Sequence, residues 1–145
     1  MQDFPHHYRV AAQGNVEGAV DLSSPGIPDL ESAAPAEFGG PGDQWSPETL
    51  LSAAVAGCFI LSFRAIARAS KFDWISLTCD VDAVLEKVEK VTQFTEFVET
   101  VVLEVPAGTD EKKAMRLLEK AEHVCLVTNS LTGKRRLDAT VKVAG

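Results

Sequence analysis

The sequence lacks the features that mark several large functional classes. Its 14 Lys and Arg face 21 Asp and Glu, so the formal net charge is -7 and a basic surface for nucleic acid is not expected. Only 3 cysteines occur, without C-x-x-C spacing, which argues against a disulfide framework and a zinc ribbon. Because G-x-S-x-G, G-x-G-x-x-G and G-x-x-x-x-G-K are absent, serine hydrolases and phosphate-binding loops have no support either.

The sequence also shows neither a secretory signal nor an apolar run of spanning length. Residues 1–10 lack the basic and apolar regions of a signal. The longest apolar run, 50–63, is shorter than the roughly 20 residues that a spanning helix needs. We therefore expect a cytoplasmic protein without a membrane partner. The 3 histidines show no ligand-pair spacing, and we predict no metal site.

What the sequence contains is the composition of a globular protein, and we predict one domain over residues 1–145. Hydrophobic residues make up 46% and charged residues 24%, close to the average for soluble domains. The remaining elements follow from periodicity and turn residues. They are two short strands in 7–22, a loop over 23–46 with one short strand near Phe38, a hairpin of strands 75–85 and 93–105, a helix with Thr109 as N-cap ending near His123, and a strand over 137–143.

The most distinctive element is a long apolar helix. Ser46 is a suitable N-cap and Pro47 suits the first helical position. Residues 50–69 are apolar on nearly every face, so this helix must be enclosed by protein. A chain of this size can cover one side of it with a sheet, and a second subunit would cover the rest. With the strands grouped and few crossovers, we predict an α+β fold in which an antiparallel sheet packs on a long buried central helix.

The three cysteines differ in their predicted surroundings. Cys58 lies midway along the apolar helix, Cys79 lies on the apolar face of a strand, and Cys125 follows the second helix. Each could be an ordinary core residue, since free cysteine is commonly buried as a small hydrophobe. A reactive thiol needs its pKa lowered, for example by positive charge nearby. Spacing alone leaves thiol chemistry open at Cys58 and Cys125, whereas Cys79 needs no chemical role.

Two segments together resemble the OsmC/Ohr family of thiol-dependent peroxidases. The first is FGGPGDQWSPETLL at 38–51 followed by AAVAGC at 53–58, which has a glycine-rich loop, a P-E-x-L-L helix start and a cysteine ten residues after the glutamate. The second is EHVCLVTNSL at 122–131, a cysteine after an amphipathic helix. Both motifs occur in the order and separation of the family, so the resemblance covers essentially the whole chain.

The resemblance implies a fold, a mechanism and partners. The OsmC-like fold is an intertwined homodimer whose two central helices are wrapped by sheets from both chains. In the family the first cysteine, here Cys58, attacks an organic hydroperoxide, and the second, here Cys125, resolves the sulfenic acid as a disulfide. The family glutamate, here Glu48, positions an arginine that stabilises the thiolate. An external dithiol or lipoylated protein reduces the disulfide, and no bound cofactor is implied for this antioxidant stress-response enzyme.

The chain departs from the family pattern at the arginine. The family places this residue upstream, but the corresponding loop has Glu37 and Phe38, and Leu126 replaces a proline that commonly follows the second cysteine. Arg9 and Arg64 are therefore the candidates for a thiolate-stabilising cation.

An apolar substrate pocket is expected near the first motif. Phe38, Trp45 and Phe59 are its candidate residues, and apolar surroundings favour bulky alkyl hydroperoxides over hydrogen peroxide.

Two functional hypotheses remain. The first is a peroxidase that acts on organic hydroperoxides through Cys58, Cys125 and Glu48. The alternative is an OsmC-like redox-sensing or apolar-ligand-binding protein without efficient peroxidase activity. The displaced arginine supports the alternative, because a buried Cys58 without a neighbouring cation would have a raised pKa. The pKa of Cys58 therefore discriminates between the two.

Overall fold

The structure is a computed structural model that describes all residues, Met1–Gly145. The chain forms two compact units, Met1–Leu50 and Leu51–Gly145. The first long helix begins in the first unit and continues into the second. The single domain over residues 1–145 stays a prediction.

The first unit contains a three-stranded antiparallel sheet in the order β1-β2-β3. Strands β1 (Ala11–Gln13) and β2 (Val20–Ser24) are the pair predicted within 7–22. Strand β3 (Ile27–Ser32) lies within 23–46, which was predicted to be loop because proline and glycine are frequent there. Pro28 is accommodated because β3 is an edge strand of the sheet. Gly26 has φ 81°, which allows the tight turn between β2 and β3. Near Phe38 a 3₁₀ helix, Ala36–Phe38, replaces the predicted short strand.

Helix α1 (Pro47–Ala69) begins at the predicted cap. The Ser46 hydroxyl accepts the Thr49 N–H at 3.1 Å, and the Thr49 hydroxyl accepts the Ser46 N–H at 2.9 Å. These two bonds satisfy donors that the first helical turn leaves without helical partners. The reciprocal pair explains why the helix begins where it does.

One stripe of α1 is buried, and much of the remainder is exposed. The buried residues recur every fourth position, as expected for a helix that packs along a single face; they are Val55, Phe59, Phe63 and Ala67. Leu61, on another face, is 59% exposed. By length and composition alone, α1 is long and apolar enough to cross a membrane. The helix predicted from the Ser46 cap through residue 69 is confirmed, and its 23 residues extend beyond the longest apolar run of 14 at both ends.

The second unit contains a mixed sheet in the order β4-β5-β6. The hairpin of β4 (Ser76–Val88) and β5 (Val91–Val105) is antiparallel as predicted, whereas β6 (Lys134–Val143) runs parallel to β5. Helices α2 (Glu111–Val124) and α3 (Leu126–Asn129) form the crossover that makes the parallel pairing possible. The sheet therefore departs from the predicted antiparallel arrangement at one edge, where β6 is parallel to β5. The core joins the buried stripe of α1 to apolar residues of β5 and α2, including Val101, Leu103, Leu117 and Leu118.

The predicted N-cap of α2 is one residue off. Asp110, not Thr109, is the cap, and its carboxylate accepts the N–H groups of Lys112 at 3.0 Å and Lys113 at 3.2 Å. The Thr109 hydroxyl instead donates to the Pro106 carbonyl at 2.6 Å, within the turn that precedes the helix. Both residue types cap helices well, so propensity alone did not separate them.

Candidate thiol site

Cys58 lies in the middle of α1 and is half-buried. Ser62 follows one helical turn later on the same face, and its hydroxyl oxygen is 3.9 Å from the Cys58 sulfur. A sulfur held on a rigid helix has a fixed position, which a reacting group requires.

Cys125 lies between α2 and α3, where the chain leaves helical geometry for one residue. Its backbone is extended, with φ -60° and ψ 107°, and its side chain is fully buried. The Thr128 hydroxyl donates to the Cys125 sulfur at 3.3 Å. The Asn129 N–H donates to the Cys125 carbonyl at 2.9 Å and closes the turn of α3.

The structure brings Cys58 and Cys125 together although 67 positions separate them in the sequence. The two side chains lie close enough for each to shift the pKa of the other through hydrogen bonding. Hydrogen bonding from the backbone of Val127 and Leu126, at the start of α3, also lowers the pKa of Cys58. The short helix α3, which the sequence did not reveal, therefore aims its first amides at the Cys58 thiol.

These contacts shift the two thiols in opposite directions. Burial raises the pKa of Cys58, but hydrogen bonds from Val127, Cys125, Ser62 and Leu126 outweigh it, and the pKa lies below its ordinary value. Burial raises the pKa of Cys125, and the neighbouring Cys58 raises it further, against the lowering effect of Thr128. Of the two thiols, Cys58 therefore ionises more readily and Cys125 less readily than an ordinary cysteine.

Cys79 has a different environment. Burial is the main cause that raises its pKa to about 12, and electrostatic interaction with Glu99, Asp80 and Cys125 adds to the rise. A thiol with such a pKa stays protonated at neutral pH and is a poor nucleophile. This agrees with the core role inferred from its place on the apolar face of β4.

The groups that lower the pKa of Cys58 are neutral: two backbone amides, a hydroxyl and a thiol. Of the candidate cations, Arg9 lies in the first unit and Arg64 on α1, and both are exposed. A stabilising role for either arginine stays a prediction. The lowering of the Cys58 pKa is explained within this chain without a cation.

The predicted pocket residues lie in different places. Phe38 and Glu48 line one cavity of about 580 Å³ in the first unit, together with apolar residues that include Val20, Leu22 and Leu50. Glu48 is the one charged residue among those that line this cavity. Trp45 lines a second cavity of the first unit, and Phe59 is fully buried in the core of the second.

A buried polar cluster of the second unit was not anticipated from the sequence. Arg135 of β6 forms an ion pair with Glu122 of α2, with 2.5 Å between Nε and Oε1. Glu99 of β5 is 1% exposed, and neither of its carboxylate oxygens has a hydrogen-bond partner. Burial and the charge of Glu122 raise the pKa of Glu99 to about 7, against the lowering effect of Arg135.

The sequence did carry a signal for this cluster. Glu99 falls in step with the apolar residues Phe97 and Val101 of a strand that alternates with period two, and Arg135 falls in step with Leu137. A charged residue on the buried face of a strand is unusual and merits attention for that reason. Periodicity alone did not show that both charges lie near Glu122 of α2, which pairs with Arg135 and repels Glu99.

Comparison with known proteins places residues 40–140 within the family described as OsmC-like protein. The uncharacterized protein YmaD of Bacillus subtilis is 28% identical over 147 residues, which cover 97% of each chain. An organic hydroperoxide resistance protein of Xanthomonas axonopodis is 31% identical over 137 residues, covering 92% of this chain and 90% of that protein. Both matches span nearly the full length of this chain.

A solved structure shows the same fold. An OsmC-like protein of unknown function from Vibrio cholerae superposes with a TM-score of 0.84 at 17% identity, covering 94% of this chain and 100% of that one. At this identity the likeness concerns the fold alone. It confirms the predicted OsmC-like α+β architecture.

Proposed function

Because the chain belongs to the OsmC-like protein family, which includes organic hydroperoxide resistance proteins, we propose that it is a thiol-dependent peroxidase that reduces organic hydroperoxides to alcohols. One observation carries the proposal: the two cysteines of the motifs lie side by side and act on each other, with the pKa of Cys58 lowered and the pKa of Cys125 raised. A lowered thiol pKa beside a second, protonated thiol is the arrangement that a peroxidatic and a resolving cysteine require.

In the first step the Cys58 thiolate attacks the terminal oxygen of the hydroperoxide. The S–O bond forms as the O–O bond breaks, so the sulfur is oxidised to a sulfenic acid and the peroxide is reduced. The leaving alkoxide needs one proton to become the alcohol. The Cys125 thiol, whose pKa is raised and which lies beside Cys58, can donate this proton.

In the second step the Cys125 sulfur, now a thiolate, attacks the sulfenic sulfur of Cys58. The S–S bond forms as the S–O bond breaks, and the hydroxide that leaves takes a proton from solvent to become water. The raised pKa of Cys125 supports this order of events, because a thiol that stays protonated does not compete with Cys58 for the peroxide. An external dithiol or lipoylated protein then reduces the disulfide by exchange and is itself oxidised.

The cavity at Phe38 and Glu48 is mostly apolar, which favours alkyl groups in the substrate.

The exposed apolar surface of α1 supports a homodimer, because such a surface is costly to leave in water. All 3 cysteines are free thiols, which suits a reducing cytoplasm. Glu48 is proposed as an organising residue on the basis of the family motif.

The proposal is tested by steady-state consumption of cumene hydroperoxide with a dithiol reductant. Replacing Cys58 by Ser should reduce turnover to the uncatalysed rate, because the nucleophile is removed. The Cys125→Ser variant should still form one equivalent of sulfenic acid but should turn over at least tenfold more slowly, since it cannot form the internal disulfide. Hydrogen peroxide should be consumed more slowly than cumene hydroperoxide by the wild type.

The matched control is Cys79→Ser, which removes the third thiol and should leave turnover unchanged. Wild-type turnover no higher than that of Cys58→Ser would contradict the peroxidase. The redox-sensing or ligand-binding alternative would then be the better explanation of the same fold.

A further inference from the structure

Arg135 forms three polar contacts with the residues on either side of Cys125. Its place on the inward face of β6 directs it toward the end of α2, and its side chain is 26% exposed. Nε forms the ion pair with the Glu122 carboxylate, and Nη2 donates to the Glu122 carbonyl. Nη1 donates to the Asn129 side-chain oxygen at 2.5 Å. One guanidinium therefore bonds to the residues that flank the Cys125 segment on both sides.

The segment between these two anchors supplies the hydrogen bonds to the reactive thiol. The Cys125 N–H donates to the same Glu122 carbonyl that Arg135 binds, at 3.3 Å. Asn129 ends α3, the turn whose first amides, those of Leu126 and Val127, donate to the Cys58 sulfur. A displacement of either anchor would move these donors, and hydrogen bonds weaken steeply with distance and misalignment.

We propose that Arg135 is a positioning residue for the Cys58 thiolate: it fixes both ends of the Cys125 segment so that the amides of α3 and the Cys125 thiol stay aimed at the Cys58 sulfur. The proposal rests on the proposed function for its purpose, but its geometry stands independently. Arg135 acts through Glu122 and Asn129.

The chemistry of the guanidinium suits this task. It is planar, permanently charged and presents several N–H donors at fixed angles, so it can bind a carboxylate, a carbonyl and an amide oxygen simultaneously. A lysine ammonium in its place keeps the charge but cannot reproduce the fixed fork of donors. Replacement of Arg135 by Lys therefore separates the effect of position from the effect of charge.

Two carboxyl groups lie near the Arg135 guanidinium, and the removal of its positive charge would affect them. Glu122 is paired with it, and the buried Glu99 is influenced by both. Without the guanidinium, Glu99 would lose the positive charge that lowers its pKa, and it would take up a proton more readily. Such protonation would limit the electrostatic change in the region, whereas a change in the position of α3 would persist.

The test measures the pH dependence of Cys58 alkylation by iodoacetamide in the full-length protein, quantified by mass spectrometry of the Cys58 peptide. Arg135→Gln is expected to raise the apparent pKa of Cys58 by about one unit, so that about tenfold less thiolate is present below that pKa. Arg135→Lys is expected to show most of the same rise. The matched control is Arg136→Gln on the same strand, an exposed residue paired only with Asp138, which should leave the profile unchanged.

An unchanged Cys58 profile in folded Arg135→Gln would overturn the proposal. Full restoration of the low pKa by Arg135→Lys would also overturn it, because charge rather than position would then be responsible. Should Arg135→Gln fail to fold, Asn129→Ala removes one anchor alone. This variant is expected to raise the pKa of Cys58 by a smaller amount, and no rise would again count against the proposal.

Alkylation requires no peroxide, so the two proposals fail separately. A pKa that rises in the Arg135 variants of a protein without peroxidase turnover would leave the positioning role intact and remove the peroxidase. Peroxidase turnover by the wild type, together with a Cys58 pKa that stays unchanged in the Arg135 variants, would support the peroxidase and remove the positioning role.

Discussion

The reactivity assigned to Cys58 comes from neutral hydrogen-bond donors acting against burial. Two amides, a hydroxyl and a thiol together lower its pKa although its burial raises it. Each donor stabilises the thiolate more than the thiol, because a charged acceptor forms stronger hydrogen bonds. A cation is therefore not required to explain a nucleophile at this position, and Arg9 and Arg64 stay candidates for an additional effect.

The buried Glu99 leads to a prediction for pH-dependent stability. Its pKa is raised to about 7, so the folded state holds its proton more tightly than the unfolded chain does. Glu99 therefore contributes stability below about pH 4 that is lost as the pH rises to about 7 and does not change further above that. Between pH 4.5 and pH 8, Glu99→Gln should gain roughly 3 kcal/mol in unfolding free energy relative to wild type.

Urea unfolding at the two pH values measures this difference. Glu119→Gln, which removes an exposed carboxylate from α2, is the control and should follow the wild type. If Glu99→Gln and wild type lose stability in parallel from pH 4.5 to pH 8, then Glu99 does not have a raised pKa.

At the scale of elements, the two helices that flank the thiol site begin at well-formed caps. Ser46 and Thr49 cap α1 reciprocally, and Asp110 caps α2 with two backbone N–H groups. The end of α2 matters as much, because Cys125 leaves helical geometry there and α3 restarts in a position to reach Cys58. The thiol site therefore depends on where helices stop and start.

The cap of α2 can be tested by paired substitutions. Asp110→Ala should lower the unfolding free energy by about 1 kcal/mol, because two amides of the first turn lose their acceptor. Asp110→Asn should cost much less, since its side-chain oxygen can still accept. Thermal or urea unfolding of the two variants provides the comparison, and equal losses would show that the carboxylate acts through charge and not as a cap.

At the scale of the whole molecule, the chain buries one stripe of its most apolar helix and leaves other apolar residues of α1 in solvent. Leu61 is the largest example, at 59% exposure. Extended exposed apolar surface commonly marks an interface. The homodimer expected from the sequence is the proposal that accounts for this surface.

The dimer is tested by light scattering after size exclusion and by sedimentation. Wild type is expected to have twice the mass of the chain, and Leu61→Glu should weaken self-association at least tenfold, because a charge would be buried without a partner. Lys120→Glu, on the exposed face of α2, is the charge-changing control and should remain dimeric. A monomeric wild type at micromolar concentration would contradict the proposal.

The sequence by itself determined the α+β class, the start of α1, the β4–β5 hairpin and the two cysteine motifs. These depend on local periodicity, capping and spacing, which a linear pattern contains. The sequence pattern placed the cap of α2 one residue too early. It did not predict β3, because proline and glycine, Pro28 among them, are frequent in the stretch, whereas pairing with β2 stabilises a strand there. Short elements of this kind depend on their neighbours more than on propensity.

Only the tertiary structure decided how the thiols behave. Cys58, Cys125 and Arg135 come from three separate elements, and the amides that lower the pKa of Cys58 belong to a helix of one turn that has no sequence signal of its own. A pKa depends on burial and on donors within a few ångströms, and these are set by packing between elements distant in the chain. Periodicity assigned each residue to a face, and the fold determined which faces meet.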